Sequence, residues 1–509
     1  MASKANTTIV HMRMRRKARV ELLGRGELSR AGGRLAVVGP GWSGTGAWTS
    51  YARPPRSLRH EPAYHAAMRA MLLALLTASA FAQSPVRPAL PANEATVLRK
   101  QLTEALADPG SSAARDLGKR AGSLAGKYEL ASVFAALREG PLYGKGEPKP
   151  RGSGKKAERL TRFGTTVVGY TFAHGKDTFR YAVDIPQGYD GSKAVPLLLD
   201  PGHGTGKGKA DKEKADFLPF FRGQLDAAGL QTALVVRTEL VEQIGADGER
   251  GARPEDEVAA VFHACLRDVV SRFHVDLDRV WISGLSQTGF WAWQLGAARA
   301  DRLAGIAPMS AVTWNVNQYL PNFAHLPVAV LHGEGDTVCP VAQPRQTVKE
   351  LERLQFPVRY QEVAGAGHDV KVWGQLHTSL QWLAEKPRHR WPRDVQKHLQ
   401  TLGDPFCYWL RIDALARSGS GAAGKPPTAR VRGTIEGQAI TLLTEGVKEL
   451  TVCGHPELWD LDQPVTITWN GKPVFQGTFR RDAQAAAQLL LQRADWSMLF
   501  EAVQTLKAP

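Results

Sequence analysis

Residues 279–290 have the sequence Arg-Val-Trp-Ile-Ser-Gly-Leu-Ser-Gln-Thr-Gly-Phe. Their first five residues predict a buried strand, and the apolar spacing from Phe290 onward predicts a helix. Ser286 then lies on the sharp turn between the two, where a serine hydroxyl is exposed at the positive end of the helix dipole. The usual pattern for such a turn is Gly-x-Ser-x-Gly, but here Thr288 occupies the last glycine position and Gly289 follows it. A serine with a purely structural role in the turn is the alternative.

Two later segments supply the partners that a nucleophilic serine requires. The predicted strand Val328–Leu331 runs into a loop that carries Asp336, and the next predicted strand runs into a glycine-rich loop that ends at His368. An aspartate just past a buried strand is placed to orient an imidazole ring. We therefore predict Ser286 as the nucleophile, His368 as the general base and Asp336 as the acid. Glu334, in the same loop as Asp336, is the rival acid.

A glycine-rich turn, Pro201-Gly-His-Gly-Thr-Gly206, follows the predicted strand Val195–Asp200. Such a turn leaves backbone N–H groups free to point at a developing oxyanion. We predict the N–H groups of Thr205 and Gln287 as the two donors, with Gly204 as the alternative to Thr205. A phosphate cradle is the competing interpretation, but the glycine spacing matches neither phosphate-binding pattern.

Short apolar strands alternate with helical stretches between residues 161 and 390. The predicted strands are Thr165–Phe172, Phe179–Ile185, Val195–Asp200, Ala233–Leu240, Arg279–Gly284, Leu303–Met309, Val328–His332 and Val358–Val363. Helices are predicted at Glu255–Phe273 and Phe290–Ala300. Antiparallel strands followed by strand–helix repeats predict an α/β fold with a mostly parallel sheet and flanking helices.

Two smaller segments flank this α/β region. Residues 83–156 are predicted to form a helical segment and a linker, because Leu98, Leu102 and Leu106 follow one another at helical spacing. We expect this segment to pack against the next domain. Residues 391–509 are predicted to form a β-rich module.

Within the β-rich module, strands are predicted at Phe406–Ala416, Ala429–Ile435, Ile440–Thr444 and Glu449–Cys453. Val465–Phe475 is predicted to be a hairpin, because Asn470-Gly471 supplies two residues suited to a tight I′ turn. Pro473 places the second hairpin strand at a sheet edge. A helix is predicted for Asp482–Leu506.

The N-terminal 82 residues differ in charge from the rest of the chain. They carry thirteen basic and three acidic residues and so supply +10 of the net +16. The remaining +6 requires no nucleic acid or other polyanionic partner. Met68-Arg69, the apolar run Ala70–Ser79 and the site Ala80-Phe81-Ala82 are typical of a secretory signal peptide. The run is too short for stable membrane insertion, which takes about 20 residues.

We therefore predict a signal peptide at residues 68–82 and a secreted or periplasmic mature protein that begins near Gln83. A short buried helix is the alternative interpretation of the apolar run. Residues 1–67 are interpreted as a spurious or disordered basic leader. The four cysteines form no C-x-x-C pair, so no structural metal site is expected. Cys407 and Cys453 either pair with each other or remain buried free thiols.

The α/β region resembles the α/β-hydrolase esterases of the dienelactone-hydrolase, prolyl-oligopeptidase and "predicted peptidase" type. The resemblance covers about residues 165–385 and rests on the Ser286 turn, the segment Phe179–Asp190 and the loops that carry Asp336 and His368. It implies Ser286, Asp336 and His368 as a catalytic triad that needs no cofactor or metal. Dienelactone hydrolases carry a cysteine nucleophile, and prolyl oligopeptidases carry a β-propeller for which neither flank here is long enough.

The expected function is hydrolysis of carboxylic esters through an acyl-enzyme, with acetyl or feruloyl esters on polysaccharide as substrates. Trp314 and Tyr319 are candidate substrate contacts, because they lie between two strands where substrate walls arise. That connection is too short for a cap domain. The alternatives are a serine peptidase, a polyester depolymerase, and a catalytically idle fold that serves as a binding module. The sequence makes no prediction of oligomeric state.

Overall fold

The computed structural model describes residues 87–146, 148, 159–162, 165–175, 177–202, 210–238, 242–244, 250–252, 255–313, 316–417 and 428–509. The predicted leader at residues 1–67 and the predicted signal peptide at residues 68–82 lie outside the described residues. Residues Ser84–Pro509 form one unit, and the following description concerns that unit.

The chain begins with three helices, α1 (Ala92–Ala107), α2 (Ser112–Lys127) and α3 (Leu130–Arg138). Helix α1 buries Leu98, Leu102 and Leu106, as their helical spacing predicts. The Ser111 hydroxyl caps α2 by accepting a hydrogen bond from the Ala114 N–H. Burial of one apolar face against the rest of the unit holds these helices in place.

A nine-stranded sheet forms the centre of the unit. Its strands are β1 (Arg159–Arg162), β2 (Thr165–His174), β3 (Asp177–Ile185), β4 (Val195–Asp200), β5 (Leu234–Thr238), β8 (Val275–Leu285), β9 (Gly305–Met309), β10 (Val328–Gly333) and β11 (Val358–Val363), while β6 (Glu242–Ile244) and β7 (Arg250–Ala252) pair separately. The spatial order is β1-β2-β3-β5-β4-β8-β9-β10-β11. Pairing is antiparallel from β1 to β5 and parallel from β5 to β11, as predicted.

Helices cover both faces of this sheet. They are α4 (Ala210–Ala227), α5 (Glu255–Arg272), α6 (Gln287–Arg299), α7 (Ala342–Arg353), α8 (Val370–Trp373) and α9 (Leu376–Ala384). Alternate strand residues enter different cores: Leu197 and Leu199 pack with α5 and α6, whereas Leu198 packs with α4 and α9. This alternation follows from the two-residue period of a strand, and burial on both faces explains why the central strands β9 and β10 are mostly apolar.

The C-terminal region forms two small sheets. Their strands are β12 (Asp394–Leu399), β13 (Phe406–Cys407), β14 (Leu410–Leu415), β15 (Ala429–Glu436), β16 (Ala439–Glu445), β17 (Val447–Gly454), β18 (Val465–Trp469), β19 (Lys472–Gly477) and β20 (Ala502–Lys507), with helix α10 (Ala483–Arg493) before the last strand. The sheet orders are β12-β15-β16-β18-β19 and β13-β14-β17-β20. Trp409 and Trp469 are fully buried in the core of this region.

The predicted hairpin is present. Asn470 and Gly471 have φ angles of 48° and 79°, the two positive values that a tight I′ turn requires. Strand β19, which carries Pro473, lies at the edge of its sheet, where a missing N–H costs no ladder hydrogen bond.

Two predictions for the C-terminal region were wrong. The predicted helix Asp482–Leu506 ends at Arg493, because the segment that follows forms β20 and pairs antiparallel with β17. The predicted single strand Phe406–Ala416 is two strands, since Tyr408 has a φ of 54° and turns the chain between β13 and β14. The first error reflects pairing between distant segments, which local residue spacing does not predict. The second reflects a tight local turn at Tyr408, a residue type that does not mark a turn.

The four cysteines are buried free thiols, so Cys407 and Cys453 do not pair with each other. Burial raises the pKa of each of these two thiols to about 12, which keeps them protonated at neutral pH. Among the described residues there is no helix with the length and apolar character needed to cross a membrane. The same residues contain no cluster of three or more potential metal ligands.

Candidate functional site

Ser286 occupies a strained turn between β8 and α6. Its φ and ψ angles are 55° and −116°, which for a residue with a side chain costs of order 1–3 kcal/mol. The turn is held by its backbone: the Ser286 N–H donates to the Met309 carbonyl, and its carbonyl accepts from the Phe290 N–H, each at 2.9 Å. Serine is a favoured helix cap, yet the Ser286 side chain makes no capping hydrogen bond to α6. The hydroxyl is therefore not used as a helix cap; its side-chain contact is with the Cys339 thiol, in the loop that carries Asp336.

Thr288, which departs from the usual motif, closes the turn. Its hydroxyl accepts a hydrogen bond from the Leu285 N–H at 2.7 Å and donates to the Leu285 carbonyl at 3.1 Å. Gly289 provides the close approach of helix and strand, since an added Cβ there would lie 2.8 Å from the Gly284 carbonyl oxygen and 2.9 Å from the Met309 carbonyl oxygen. The glycine requirement is thus displaced by one residue.

Asp336 and His368 meet beside this turn. Nδ1 of His368 lies 2.8 Å from Oδ2 of Asp336, and the other carboxylate oxygen accepts from the N–H groups of Val338 and Cys339 at 3.0 and 2.8 Å. The Asp336 side chain is fully buried, whereas 17% of the His368 side chain is exposed. An aspartate held in this way fixes the ring tautomer with Nδ1 protonated, so Nε2 is left to take a proton. Among the described residues no hydrogen bond joins Ser286 to His368, an arrangement common in enzymes without bound substrate.

The rival acid, Glu334, lies elsewhere in the same loop. Its carboxylate accepts a hydrogen bond from the Gly365 N–H at 3.0 Å, and the residue is exposed. His332, four residues before Asp336, is fully buried, and its Nε2 lies 2.8 Å from the Cys339 carbonyl oxygen. Burial lowers the pKa of His332, so this ring is neutral at neutral pH. Both residues stabilise the loop that presents Asp336.

Of the two predicted oxyanion donors, only Gln287 lies within the described residues; Thr205 and its alternative Gly204 do not. Gln287 is the first residue of α6, and the N–H groups of a first helical turn have no partner within the helix. The first two residues of the glycine-rich turn, Pro201 and Gly202, lie within the described residues. The Thr238 hydroxyl donates to the Pro201 carbonyl at 2.6 Å, and Gly202 has a φ of 65° and packs against the Thr238 carbonyl, leaving no room for a side chain.

A cavity of about 320 Å³ borders this site. Leu285 and Thr288, on either side of Ser286, form part of its wall, and so does Trp373, whose ring meets the His368 ring edge-on with centroids 6.2 Å apart. Tyr319 does not line this cavity. It lies in a short 3₁₀ helix, Asn317–Phe323, beside a different cavity of about 90 Å³, and its hydroxyl accepts a hydrogen bond from Gln400. Trp314 lies outside the described residues.

When β1 is left out and the other eight strands of the sheet are counted in chain order, their spatial order is 1-2-4-3-5-6-7-8. The strained Ser286 directly follows the fifth of these strands, β8. The loops that carry Asp336 and His368 follow the seventh and eighth strands. Residues 165–384 have the α/β-hydrolase fold. This confirms the predicted fold class, since the order of strands and the position of the turn are those by which the fold is recognised.

No family model and no curated protein matches the sequence. Solved structures do match over part of the chain. A thermostable esterase matches with a TM-score of 0.37 and 20% identity over 44% of this chain and 63% of its own length, so this chain spans less than two thirds of that protein. An S-formylglutathione hydrolase from Agrobacterium tumefaciens matches with a TM-score of 0.37 and 14% identity over 45% of this chain and 98% of its own. A ferulic acid esterase from Anaeromyces mucronatus matches with a TM-score of 0.36 and 15% identity over 45% and 93%.

Sequence reasoning missed several residues of the site. Asp200 and Arg237 form a buried ion pair at the ends of β4 and β5, and both line the cavity beside Ser286. The sequence does contain a signal for this pair, because Asp200 and Arg237 are charged residues at or near the end of an apolar strand. Trp373 gave no signal, since its contact with His368 depends on how the short helix α8 folds back after the catalytic loop.

Proposed function

We propose that this chain is a serine hydrolase that cleaves carboxylic esters through an acyl-enzyme. The observation that supports it most strongly is the combination of an uncapped, strained Ser286 with a buried Asp336 that fixes His368. A serine nucleophile, an imidazole base and an orienting carboxylate are the groups that acyl transfer requires.

In the proposed reaction, His368 Nε2 removes the proton from Ser286 as Oγ attacks the ester carbonyl. The Gln287 N–H stabilises the negative charge that forms on the carbonyl oxygen, together with a second donor that we assign to Thr205. His368 then protonates the leaving alcohol, and the C–O bond of the ester breaks. A water molecule, deprotonated by His368, attacks the acyl-enzyme, releases the acid and regenerates Ser286.

For the natural substrate we propose acyl esters carried by a polysaccharide outside the cytoplasm. Two features support this choice. The chain carries the pattern of a signal peptide at residues 68–82. Between β9 and β10, the described residues contain only the short 3₁₀ helix Asn317–Phe323, so this connection is far smaller than a cap domain. A polymer-borne ester needs an approach that a cap would block.

The direct test of the activity compares variants on an acetyl ester. We expect Ser286→Ala and His368→Ala each to retain no more than roughly 10⁻³ of wild-type turnover. Acetylated or feruloylated polysaccharide, long-chain acyl esters and proline-containing peptide amides are then compared by kcat/KM. Faster cleavage of the peptide amides would contradict the esterase proposal, and a preference for long acyl chains would indicate a lipase or polyester depolymerase.

A further inference from the structure

The cavity beside Ser286 has walls of aromatic rings. Phe217, Phe220 and Phe221 come from helix α4, and Trp373 comes from helix α8 on the opposite side. Aromatic rings pair preferentially with other rings, in offset-stacked or edge-to-face arrangements, beyond what the buried area alone contributes. The cavity walls therefore favour a flat, unsaturated group over a flexible chain.

Among the described residues of the cavity wall, the two charged ones neutralise each other. Arg237 and Asp200 form an ion pair, and they are 5% and 0% exposed. The Arg237 guanidinium also lies over the Phe217 ring, 4.3 Å from its centroid. A carboxylate or ammonium group entering this cavity would find no unpaired opposite charge among the described lining residues, and these residues would not compensate its desolvation. An uncharged group is therefore the favoured occupant.

Exposed apolar side chains surround the same place. Phe217 and Val370, which line the cavity, are 39% and 70% exposed, and Val338, two residues after Asp336, is 66% exposed. These are three of the six large hydrophobic side chains that are exposed in the described part of the chain. Phe217 and Val370 thus place exposed apolar surface on the wall of this cavity, as is common for binding sites.

The cavity is too large for an acetyl group. Its volume of about 320 Å³ is at the lower end of the range for ligand pockets, roughly 300–1,000 Å³. An acetyl group has only three heavy atoms and would leave most of the cavity filled with water molecules, each of which occupies about 30 Å³. A ring with a short linker to the carbonyl would displace that water from apolar walls, which is favourable.

We propose that this cavity binds the acyl part of the ester and that this acyl part is an uncharged aryl group. The inference rests on the proposed function for its reaction chemistry. The acyl side is assigned because Leu285 and Thr288 lie one residue before and two residues after Ser286, and because Asp200 directly precedes the glycine-rich sequence to which we assign the second oxyanion donor. The Asp200 carboxylate accepts a hydrogen bond from the Gly202 N–H, so the cavity wall and the oxyanion turn share one residue.

The experiment compares methyl cinnamate, methyl acetate, methyl octanoate and benzyl acetate with wild-type protein and two variants. Phe217→Ala removes a cavity wall, and its side chain is exposed enough that folding is preserved. Leu402→Ala is the matched control, because Leu402 is 38% exposed and lies outside this cavity. Binding of methyl cinnamate to Ser286→Ala protein is measured by calorimetry, which does not depend on turnover.

We expect kcat/KM for methyl cinnamate to exceed that for the other three esters by roughly 10-fold or more. Phe217→Ala should lower the cinnamate value by roughly 10-fold more than it lowers the acetate value, while Leu402→Ala changes neither. Equal rates for all esters, faster octanoate or benzyl acetate, or equal losses on cinnamate and acetate would overturn the inference and leave the esterase proposal intact. If no ester is cleaved but Ser286→Ala protein still binds methyl cinnamate and loses that binding on Phe217→Ala, the proposed function fails and the aryl site stands.

Discussion

Nδ1 of His368 and Oδ2 of Asp336 lie 2.8 Å apart, although the two residues are 32 positions apart in the chain. Their loops meet because β10 and β11 are adjacent and parallel, so the carboxyl ends of both strands open at the same edge of the sheet. Ser286 follows β8 at that edge, with only β9 between β8 and β10. The topology of the sheet therefore assembles the candidate site from three separate segments.

The choice of acid is tested by two carboxamide variants. Asp336→Asn should lower ester turnover by up to about 10⁴-fold, because an amide cannot stabilise the imidazolium and favours the wrong ring tautomer. Glu334→Gln should stay within about 3-fold of wild type, since Glu334 contacts the Gly365 N–H rather than His368. Steady-state kinetics on one acetyl ester measures both. Retained activity in Asp336→Asn together with a collapse in Glu334→Gln would show that Glu334 is the acid.

The displaced glycine of the nucleophile turn gives a stability prediction. Gly289→Ala should destabilise the protein by about 1–3 kcal/mol, because the new Cβ would meet the Gly284 and Met309 carbonyl oxygens at 2.8 and 2.9 Å. Gly126→Ala is the control: beyond its chain neighbours and the backbone of its own helix, no atom lies within 4 Å of the added Cβ, and replacing a helical glycine should stabilise by roughly 0.5–1 kcal/mol. Urea unfolding followed by tryptophan fluorescence compares the two. Equal stability of both variants would mean that helix and strand do not approach closely at Gly289.

The strand ends were predictable from the sequence, and the surroundings of the site were not. Apolar runs that end in a small or charged residue identified the positions of Ser286, Asp336 and His368, because strand burial and chain order are local properties. The role of Thr288 was not predictable, since its hydrogen bonds to Leu285 depend on the folded turn. The aryl-lined cavity depends on the approach of α4 and α8, which no local pattern encodes.

The C-terminal region shows the same distinction. The Asn470-Gly471 turn was predictable because it is local, whereas the pairing of β20 with β17 brings together segments about fifty residues apart, as with Val452 and Gln504. The apolar residues that point to a helix between Asp482 and Leu506 continue past Arg493. The residues of β20 form a strand because they pair with β17, and this pairing cannot be predicted from their own sequence.

A buried charge cluster, formed by Asp495, Arg302 and Arg388, connects the C-terminal region to the α/β-hydrolase region. The Asp495 carboxylate is fully buried, accepts a hydrogen bond from Arg388 at 2.7 Å and forms an ion pair with Arg302. Burial alone raises the pKa of Asp495, but Arg302 and Arg388 outweigh it and hold the pKa well below its usual range. Asp495→Asn should therefore cost about 3–5 kcal/mol, because Arg302 loses its buried ion-pair partner and Arg388 keeps only Asp278.

An exposed ion pair provides the control for this variant. Arg432 and Asp394 pair at 2.7 Å with side chains that are 55% and 51% exposed. Asp394→Asn should change stability by less than about 1 kcal/mol, since water already solvates both partners. Chemical unfolding of both variants measures the difference. Similar losses would indicate that the Asp495 cluster contributes no more than a surface pair.

The pH dependence of stability should include a contribution from His455. This ring stacks on Trp391 with centroids 3.8 Å apart, and its Nδ1 accepts a hydrogen bond from the Glu457 N–H. Burial, followed by the charges of Arg138 and Arg390, lowers the pKa of His455 from 6.5 to about 3. The unfolded chain takes up this proton below about pH 6.5 and the folded chain only near pH 3. The contribution of neutral His455 to the free energy of unfolding is therefore complete above pH 6.5 and is lost as the pH falls towards 3.

His455→Gln tests this contribution, because glutamine does not titrate. The slope of unfolding free energy against pH between 6.5 and 3 should be smaller in the variant than in the wild type. Urea unfolding at several pH values in that interval supplies the slopes. Parallel curves for the two proteins would show that His455 titrates normally in the folded state.

The claim that Ser286 is an activated nucleophile is tested most directly by labelling with a fluorophosphonate and locating the adduct by peptide mass spectrometry. Ser310→Ala is the matched control, because Ser310 also has a positive φ, 45°, and follows the neighbouring strand β9. We expect one adduct on Ser286 in the wild type and in Ser310→Ala, and none in Ser286→Ala. A folded wild-type protein that forms no adduct, or an adduct that persists in Ser286→Ala, would contradict the account.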